Sequence, residues 1–398
     1  MKISENWLRT WVNPAIDSEK LSDQLTMLGL EVDELAPAAK PFTGVVVGEV
    51  LTVEQHPDAD RLRVTTVNIG SGEPLQIVCG APNVRAGMKA PVATIGAVLP
   101  GDFKIKKGKL RGIESQGMLC GASEIDLEDK IDGLLELPAD APVGMNIREY
   151  LDLDDNVIDI SITPNRGDCF SIRGIAREIG VINQLPVTAP EIKEVAATIS
   201  DEKKVVVSTE GCPRYLGRVI KNVNTKAVTP VWMERALARS GIRQHSILVD
   251  ITNYVLMELG QPLHAFDGGK VQGAVHVRQA TEAEKLVLLN EQEVELNEKV
   301  MVIADDEKAL AIAGIMGGLS SAVSDATTEI FLESAFFAPL HIAGRARSFG
   351  LHTDASQRYE RGVDFELPLI AMHRASQLIA ELAGGEFGPI TVAENAAL

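Results

Sequence analysis

The segment from Arg345 to Asp364 reads RARSFGLHTDASQRYERGVD and mixes many side-chain types that can do chemistry. Its acids, bases and hydroxyls are Arg345, Arg347, His352, Thr353, Asp354, Arg358, Glu360, Arg361 and Asp364. Such a mixture suits a site that holds a charged, hydroxyl-rich ligand beside reacting groups. The alternative is a helix start that is capped and connected by salt bridges. The residues of this segment alone leave both interpretations open.

Two single ionisable residues lie in otherwise apolar surroundings. Glu333 is the only acid in IFLESAFF, where a buried carboxylate needs a partner such as a backbone amide or an arginine. His264 lies between Pro262 and Phe266, and a lone histidine is more often packed or exposed than functional. The run AIAGIMGG, residues 311–318, offers small apolar walls and backbone that a ligand can approach closely. A core strand that ends in a tight turn is the alternative for this run.

A basic segment lies in the first half of the chain. Its cations are Lys104, Lys106, Lys107, Lys109 and Arg111, with no acid among them. They could contact phosphate groups of a nucleic acid. A solvated face without a ligand is the alternative.

The predicted elements that carry these residues change along the chain. The first 29 residues have apolar side chains at helical spacing, with Ser4 as a suitable N-cap. Residues 44–143 contain short β-rich runs separated by Gly, Pro, Asn and Asp, which predicts a small barrel. A helix is expected after Asp168, which we interpret as its cap, and it ends near Leu185.

The charged, aromatic-free stretch 188–204 indicates a further boundary. An α+β region follows it, with strands predicted near 203–207 and 215–219 and a helix near 231–239. A last helix carries Pro368 in its first turn and ends at Gly384.

Length and composition limit the class of protein. The chain has 398 residues, enough for two or three domains, and its 45% hydrophobic content is sufficient for real cores. No apolar run is long enough for a membrane span, and the N-terminus lacks a signal-peptide pattern, so a cytoplasmic protein without membrane contact is expected. The net charge of −18 argues against general nucleic-acid binding but leaves local contact possible.

Patterns of metal ligands are weak. The cysteines are widely separated and form no CxxC pair, which predicts reduced, partly buried thiols and no zinc site. His56, Asp58 and Asp60 alternate, and we interpret them as part of a turn. No metal site is therefore predicted.

The Arg345–Asp364 segment resembles the editing-region signature of bacterial phenylalanyl-tRNA synthetase beta subunits. Further blocks match this family in the family's order: HPDADRLRVTTVNIG from His56, TPNRGDCFSIRGIARE from Thr163 and VDITNYVLMELGQPLHAFD from Val249. The resemblance implies a multidomain α+β fold. Its parts would be an N-terminal helical and mixed domain of residues 1–39 plus 151–198, an inserted tRNA-binding OB-fold β-barrel of residues 40–150, and a B3/B4 editing domain of residues 199–398.

The resemblance also implies hydrolysis of tyrosine that has been wrongly attached to the phenylalanine tRNA. An apolar pocket for phenylalanine rejects tyrosine only ~100-fold, because tyrosine merely adds a hydroxyl. A second site that hydrogen-bonds this hydroxyl would reject phenylalanine by ~10⁴-fold, because its own polar groups would be left unpaired. No Ser or Cys has an obvious base partner, so a positioned water is expected to attack the ester.

Site roles follow from the same resemblance. The implied catalytic positions are His264, Glu333 and Thr353, the implied substrate-binding positions are Arg243, Asn253, Gly317 and Ala355, and the implied tRNA-binding positions are Lys104, Lys106, Lys107, Lys109 and Arg111. Glu333 would recognise the tyrosyl hydroxyl, and His264 would contact the aminoacyl-adenosine end. Thr353 and Ala355 would line the ring slot.

The implied partners are a synthetase alpha subunit, in an α2β2 heterotetramer, and tRNA(Phe). Aminoacylation with ATP and magnesium would belong to the alpha subunit, so no cofactor is expected in this segment. The alternative function is a non-catalytic tRNA-binding or scaffold module with an idle pocket. Convergence of His264, Glu333, Thr353 and Ala355 on one pocket would favour the editing function.

Overall fold

The computed structural model describes residues 1–127 and 132–394. The chain divides into two compact units. The discontinuous unit comprises Met1–Leu35 and Val157–Leu398, and the inserted unit comprises Ala36–Asn156. The finer division into residues 1–39 plus 151–198, 40–150 and 199–398 stays a prediction, and parts of these ranges lie outside the described residues.

The multidomain α+β class is confirmed, with several sheets and helices in the described part of the chain. The helices are α1 (Glu5–Trp11), α2 (Ser18–Met27), α3 (Ile147–Tyr150), α4 (Ile172–Asn183), α5 (Val231–Arg239), α6 (Ile247–Leu259), α7 (Pro339–Ile342), α8 (Arg345–Ser348), α9 (Asp354–Arg361) and α10 (Leu367–Leu382). Among the described residues, no helix is both long and apolar enough to cross a membrane.

The strands in the first half of the chain are β1 (Lys2–Ser4), β2 (Glu31–Pro37), β3 (Thr43–Gln55), β4 (Arg63–Asn68), β5 (Leu75–Cys79), β6 (Lys89–Leu99), β7 (Phe103–Lys104), β8 (Gly108–Leu110), β9 (Ile113–Ser115), β10 (Gly117–Leu119) and β11 (Asn156–Ser161). Those in the second half are β12 (Val205–Val207), β13 (Arg214–Lys221), β14 (Leu263–Asp267), β15 (Val275–Gln279), β16 (Lys285–Val287), β17 (Glu293–Glu295), β18 (Met301–Ala304), β19 (Ala309–Ile312), β20 (Met316–Gly317), β21 (Glu329–Phe336) and β22 (Glu386–Glu394).

Two predicted helix boundaries are confirmed. The Ser4 hydroxyl caps α1 by accepting a hydrogen bond from the Trp7 amide. The helix α5 covers Val231–Arg239 and ends before Gly241, whose φ of +75° suits a helix stop.

The predicted cap of α4 is wrong. Ser171 caps this helix, because its hydroxyl accepts a hydrogen bond from the Gly174 amide. Asp168 instead lies in a short 3₁₀ turn, where its carboxylate accepts hydrogen bonds from the Arg166 guanidinium. The Asp168 carboxylate is bonded to Arg166, and the helix is capped by the Ser171 hydroxyl instead.

A central antiparallel sheet organises the discontinuous unit. Its strand order is β14-β21-β13-β22. Since side chains alternate along a strand, each face of the sheet supports a separate core. Tyr215, Phe266 and Phe331 face one hydrophobic cluster, whereas Leu216 and Leu332 face the other.

A second sheet covers the face that carries Tyr215 and Phe331. Its order is β12-β15-β18-β19-β20, with a parallel pair β12/β15 and antiparallel pairs elsewhere. Val277, Val302 and Leu310 of this sheet belong to the same buried cluster as Tyr215 and Phe331. The helices α4, α6 and α10 contribute to the cluster on the opposite face. The space between the two sheets holds the candidate site.

The inserted unit is built on a curled sheet of order β10-β6-β3-β4-β5, with β7 paired to β6. Among the described residues the strands of the predicted small barrel do not close, since the outer strands β5 and β10 do not pair. The Gln116 amide donates to the Gln76 carbonyl at 2.8 Å. The side chains of Gln116 and Ser115 accept from the amides of Gln76 and Val78 at 3.0 and 3.1 Å. One backbone bond and two side-chain bonds therefore connect this edge to β5 in place of a continuous strand ladder.

Candidate functional site

Strand pairing brings the two isolated ionisable residues together. In the antiparallel pair β14/β21, His264 lies directly opposite Glu333. On its other side, Glu333 lies opposite Gly217 of β13. The alternation of side chains places both ionisable groups on the face between the two sheets.

Glu333 is buried and bonded to a tyrosine. The residue is 7% exposed, and the Tyr215 hydroxyl donates to its Oε2 at 2.7 Å. Its Oε1 has no hydrogen-bond partner among the described residues. Burial raises the pKa of Glu333 to about 7, although the Tyr215 hydrogen bond lowers it. Sequence reasoning considered a backbone amide or an arginine and missed this tyrosine, which lies 118 positions away along the chain.

His264 is held as a neutral imidazole. Its ring packs edge-on against Phe266, with centroids 4.5 Å apart. Its Nε2 is buried and has no hydrogen-bond partner among the described residues. Burial lowers the pKa of His264 to about 4. At neutral pH the imidazole is therefore uncharged and one ring nitrogen is available to a ligand.

Gly317 makes room for this imidazole. A Cβ at position 317 would lie 2.5 Å from His264 Cε1 and 2.8 Å from His264 Nε2. These separations are too short for a real side chain. A side chain at position 317 would therefore displace the imidazole from its present place.

His264, Glu333, Gly317 and Ala355 line one cavity of about 70 Å³, which we call the His264–Glu333 cavity. Apart from Glu333 and His264, its walls are mainly apolar and come from Pro262, Leu263, Phe266, Ile303, Ala311, Ile312, Ala313, Gly314, Ile315, Met316, Gly317, Ala355 and Tyr359. The small-residue run 311–318 supplies much of this wall through β19, the following turn and β20. The cavity has an apolar body with one carboxyl and one imidazole, which suits an aromatic ligand that carries a polar group.

Thr353 supports the wall without lining the cavity. It is the N-cap of α9, where its hydroxyl accepts from the Ser356 amide at 3.1 Å. The same hydroxyl donates to the Ile315 carbonyl at 2.9 Å. Thr353 therefore ties the helix that carries Ala355 to the loop that forms the opposite wall.

The other two expected substrate-binding residues are not part of this cavity. Arg243 is exposed in the loop after α5, and Asn253 is half-buried on α6. Neither residue lines the cavity. Their role at a rim or an inner wall stays a prediction.

The charged segment 345–364 combines both interpretations that its sequence allowed. Arg358 is buried, donates to the Phe170 carbonyl at 3.0 Å and pairs with Asp354. Arg361 lies over the Phe170 ring at 4.6 Å. These arginines dock α9 onto the turn before α4, while Ala355 on the same helix reaches the cavity. Arg358, Asp354 and Arg361 therefore have structural contacts.

The basic segment of the inserted unit borders an open groove of about 540 Å³, which we call the basic groove. All five cations from Lys104 to Arg111 are exposed. Lys104, Lys106 and the exposed Phe103 line the groove, and so do the acids Glu124 and Asp132. Within the described part of the chain, Lys107 has an acidic partner, Glu114, at 2.7 Å. The exposed cations of the segment 104–111 and the ring of Phe103 can contact an anionic polymer, whereas Glu124 and Asp132 would repel its phosphates.

One group of potential metal ligands occurs in the described residues: Asp168, Cys169 and Glu178. Arg166 forms salt bridges with both carboxylates at 3.1 Å. Burial raises the pKa of the Cys169 thiol to about 12, so it is not an anionic ligand at neutral pH. The single arginine already pairs with both carboxylates.

Comparisons with known proteins match both units. Residues 211–384 match the family model described as the B3/4 domain, and residues 45–146 match the putative tRNA binding domain. The phenylalanine–tRNA ligase beta subunit of Acinetobacter baylyi is 82% identical over 398 residues, covering 100% of this chain and 50% of the relative. That of Psychrobacter arcticus is 63% identical over 402 residues, covering 99% of this chain and 50% of the relative.

The chain thus spans about half the length of the curated relatives that it matches. Among solved structures, an N-terminal fragment of the phenylalanyl-tRNA synthetase beta subunit from Pyrococcus horikoshii aligns with 61% of this chain and 68% of that chain. The alignment has 14% identity and a TM-score of 0.34, which is too low for a comparison of the folds.

Proposed function

Because the chain belongs to the phenylalanine–tRNA ligase beta subunit family and matches its N-terminal portion, we propose that it removes wrongly attached tyrosine from tRNA(Phe) by hydrolysis. The observation that carries the proposal is the His264–Glu333 cavity, where one carboxyl and one imidazole meet in an apolar slot. Three of the four residues whose convergence favours editing line this cavity, and Thr353 braces its wall.

Selection of tyrosine would follow from the unpaired oxygen of Glu333. A bound tyrosyl ring fits the apolar walls, and its hydroxyl would hydrogen-bond Glu333 Oε1. A phenylalanyl ring would leave this oxygen buried and unpaired, which costs about 1–3 kcal/mol or more for a charged group. The cavity would therefore prefer the tyrosyl ester.

Hydrolysis needs one positioned water. In the proposed step the water oxygen bonds to the ester carbonyl carbon, and the bond from that carbon to the ribose oxygen breaks. The products are tyrosine and free tRNA, with the proton of the water passing to the ribose oxygen. The neutral His264, with its Nε2 free, is suited to orient this water by accepting a hydrogen bond from it.

The cavity must widen to admit a ring. Its volume of about 70 Å³ is smaller than the ~150 Å³ of a cavity that takes benzene. Met316 lines the wall and has a flexible side chain that can move aside. We expect this residue to change rotamer when a tyrosyl group binds.

The wider assignment follows from the family. We propose that the basic groove contacts tRNA and that the complete ligase pairs this subunit with an alpha subunit, in an α2β2 assembly. Aminoacylation, with ATP and magnesium, is proposed to occur in the alpha subunit. Editing by this chain would act on the product of that reaction.

The test is deacylation of tyrosyl and phenylalanyl esters, both on tRNA(Phe), by the purified chain and by the complete ligase. Selective release of tyrosine that Glu333→Ala abolishes is the expected result. If the complete ligase releases neither amino acid, the editing proposal is wrong and the chain is a tRNA-binding scaffold. If only the complete ligase is active, editing stands but requires the remaining domains to present the acceptor end.

A further inference from the structure

The partner of Glu333 is a buried tyrosine outside the cavity. Tyr215 lies on β13, opposite Ala335 and diagonal to Glu333 on the same face of the sheet. The Tyr215 side chain is fully buried and does not line the cavity. Its hydroxyl can influence a ligand only through the carboxyl of Glu333.

This hydrogen bond makes the two oxygens of Glu333 unequal. Oε2 accepts from Tyr215 at 2.7 Å, whereas Oε1 has no partner in the described part of the chain. Burial and the neighbouring Glu333 carboxyl raise the pKa of Tyr215 well above its usual value, so the phenol stays protonated and acts as donor. When Glu333 is neutral, its proton is therefore held by Oε1; when Glu333 is ionised, Oε1 is the open acceptor.

We infer that Tyr215 is a positioning residue, whose hydroxyl holds Glu333 so that only Oε1 can meet the hydroxyl of a bound tyrosyl group. The inference rests on the proposed editing function and names a determinant of its selectivity. A carboxyl that rotated freely could turn away from a phenylalanyl ring and pair elsewhere. A carboxyl that Tyr215 holds in place cannot turn away. Binding of a phenylalanyl ring then leaves Oε1 without a hydrogen-bond partner, which disfavours phenylalanine.

Other ionisable groups near Glu333 do not compete for this role. His264 faces it from β14, Cys212 from the segment before β13 and Tyr359 from α9. The Tyr359 hydroxyl donates to the Ala335 carbonyl and accepts from Gln261. The walls contributed by β18–β20 are apolar. Among these groups, the hydroxyl of Tyr215 is the one that donates a hydrogen bond to the Glu333 carboxyl.

The first test is Tyr215→Phe in the complete ligase. The ratio of tyrosyl to phenylalanyl deacylation, measured as kcat/KM, should fall about tenfold, the effect expected from loss of one strong hydrogen bond. In the unmodified ligase the Tyr215 hydrogen bond lowers the pKa of Glu333, and its loss should raise this pKa. The midpoint of the pH dependence of tyrosyl deacylation should therefore move to higher pH. A purely structural role would not move this midpoint.

Tyr254→Phe is the matched control. Tyr254 is also buried beside a buried glutamate, Glu258, but it belongs to the cluster on the opposite face of the sheet. This variant should lose comparable stability in thermal unfolding while the selectivity and the pH midpoint stay unchanged.

A second variant, Glu333→Gln, tests the same idea without removing Tyr215. If Tyr215 donates to the amide oxygen, the amide NH₂ faces the cavity and can donate to a tyrosyl hydroxyl. Glu333→Gln should then keep the preference for tyrosine, which Glu333→Ala should lose. The pH dependence that comes from the carboxyl should be absent, because an amide does not titrate. If Glu333→Gln loses the preference as fully as Glu333→Ala does, the positioning role is overturned.

The two proposals fail in different ways. If the unmodified ligase does not release tyrosine, editing is wrong and the role of Tyr215 falls with it. If the unmodified ligase is selective but Tyr215→Phe retains both the ratio and the midpoint, only the role of Tyr215 is wrong.

Discussion

The His264–Glu333 cavity and the basic groove differ in how they can recognise a ligand. The cavity is small, mainly apolar and lies between two sheets. Burial lowers the pKa of His264 and raises that of Glu333, and both shifts favour the neutral form of the side chain. The groove is open, and the cations beside it are exposed. One region has few polar groups among apolar walls, and the other has many charges exposed to water.

The difference teaches where selectivity can arise. A buried carboxyl that loses its hydrogen-bond partner incurs a desolvation cost. A ligand that lacks a single hydroxyl should therefore bind with a clearly less favourable free energy. An exposed cation exchanges water and counterions for a phosphate, so its contribution is modest and depends on salt. Changes in the cavity should therefore alter rate and selectivity, whereas changes in the groove should alter affinity.

The largest effect should come from His264→Ala. Loss of the imidazole should lower single-turnover tyrosyl deacylation about 100-fold, the lower range for removal of a positioned acid–base group. The affinity for tRNA should not change. His276→Ala is the control, since His276 lies on β15 outside the cavity and pairs with Asp306 at 2.7 Å. An unaltered rate in His264→Ala would remove the histidine from the mechanism.

The buried pair should also couple stability to pH. Burial raises the pKa of Glu333 from 4.5 to about 7, so the folded chain binds this proton more tightly and stability from this group falls as pH rises from 4.5 to 7. Burial lowers the pKa of His264 from 6.5 to about 4, so stability from that group falls as pH drops from 6.5 to 4. Each effect amounts to about 3 kcal/mol at most.

Chemical unfolding of the unmodified chain and Glu333→Gln at several pH values separates the two contributions. The unmodified chain should lose up to about 3 kcal/mol relative to Glu333→Gln between pH 4.5 and 7. Parallel stability curves would mean that Glu333 is ionised in the folded chain throughout this range.

A smaller effect is expected for Gly317→Ala. The new methyl group would displace His264 and should reduce the free energy of unfolding by about 2 kcal/mol. Tyrosyl deacylation should fall with it, because the imidazole moves. Gly269→Ala is the control, as its added Cβ would meet an atom of Asp267 at an ordinary 3.4 Å. Equal stability of the two variants would contradict the steric role of Gly317.

The smallest effects should come from single cations of the groove. Lys104→Ala, Lys106→Ala or Lys109→Ala should each weaken tRNA binding a few-fold and reduce the salt dependence by ~0.7–0.9 per lost phosphate contact. Lys299→Ala, an exposed cation of the discontinuous unit, provides the control for charge alone. If all four variants have the same salt dependence, the basic segment is a solvated face.

Much of the local structure could be predicted from local patterns. The cap at Ser4 and the helix at Val231–Arg239 depend on neighbouring residues, and both predictions are confirmed. Errors arose where a distant or competing group decides. Asp168 has a suitable cap chemistry, but Arg166 takes its carboxylate. The described strands of the barrel do not close, and the few hydrogen bonds of Gln116 and Ser115 to β5 depend on distant contacts that no local pattern indicates.

The candidate site was predicted in part. His264 and Glu333 attracted attention because each is an ionisable residue in an apolar run. Tyr215 was missed, since no local pattern indicates that its hydroxyl reaches a carboxyl in a strand more than 100 positions later. Arg358 belonged to the suspected segment, yet its guanidinium is buried against Phe170 and not in the cavity.

By itself, the sequence determined the family, the alternation of helices and strands, and the residue types that can do chemistry here. The tertiary structure alone decided that His264 faces Glu333, that Gly317 leaves space for the imidazole, and that Tyr215 occupies one carboxyl oxygen. The physical reason is that strand register and burial are set by contacts between distant segments. These contacts also set the pKa values on which the proposed chemistry depends.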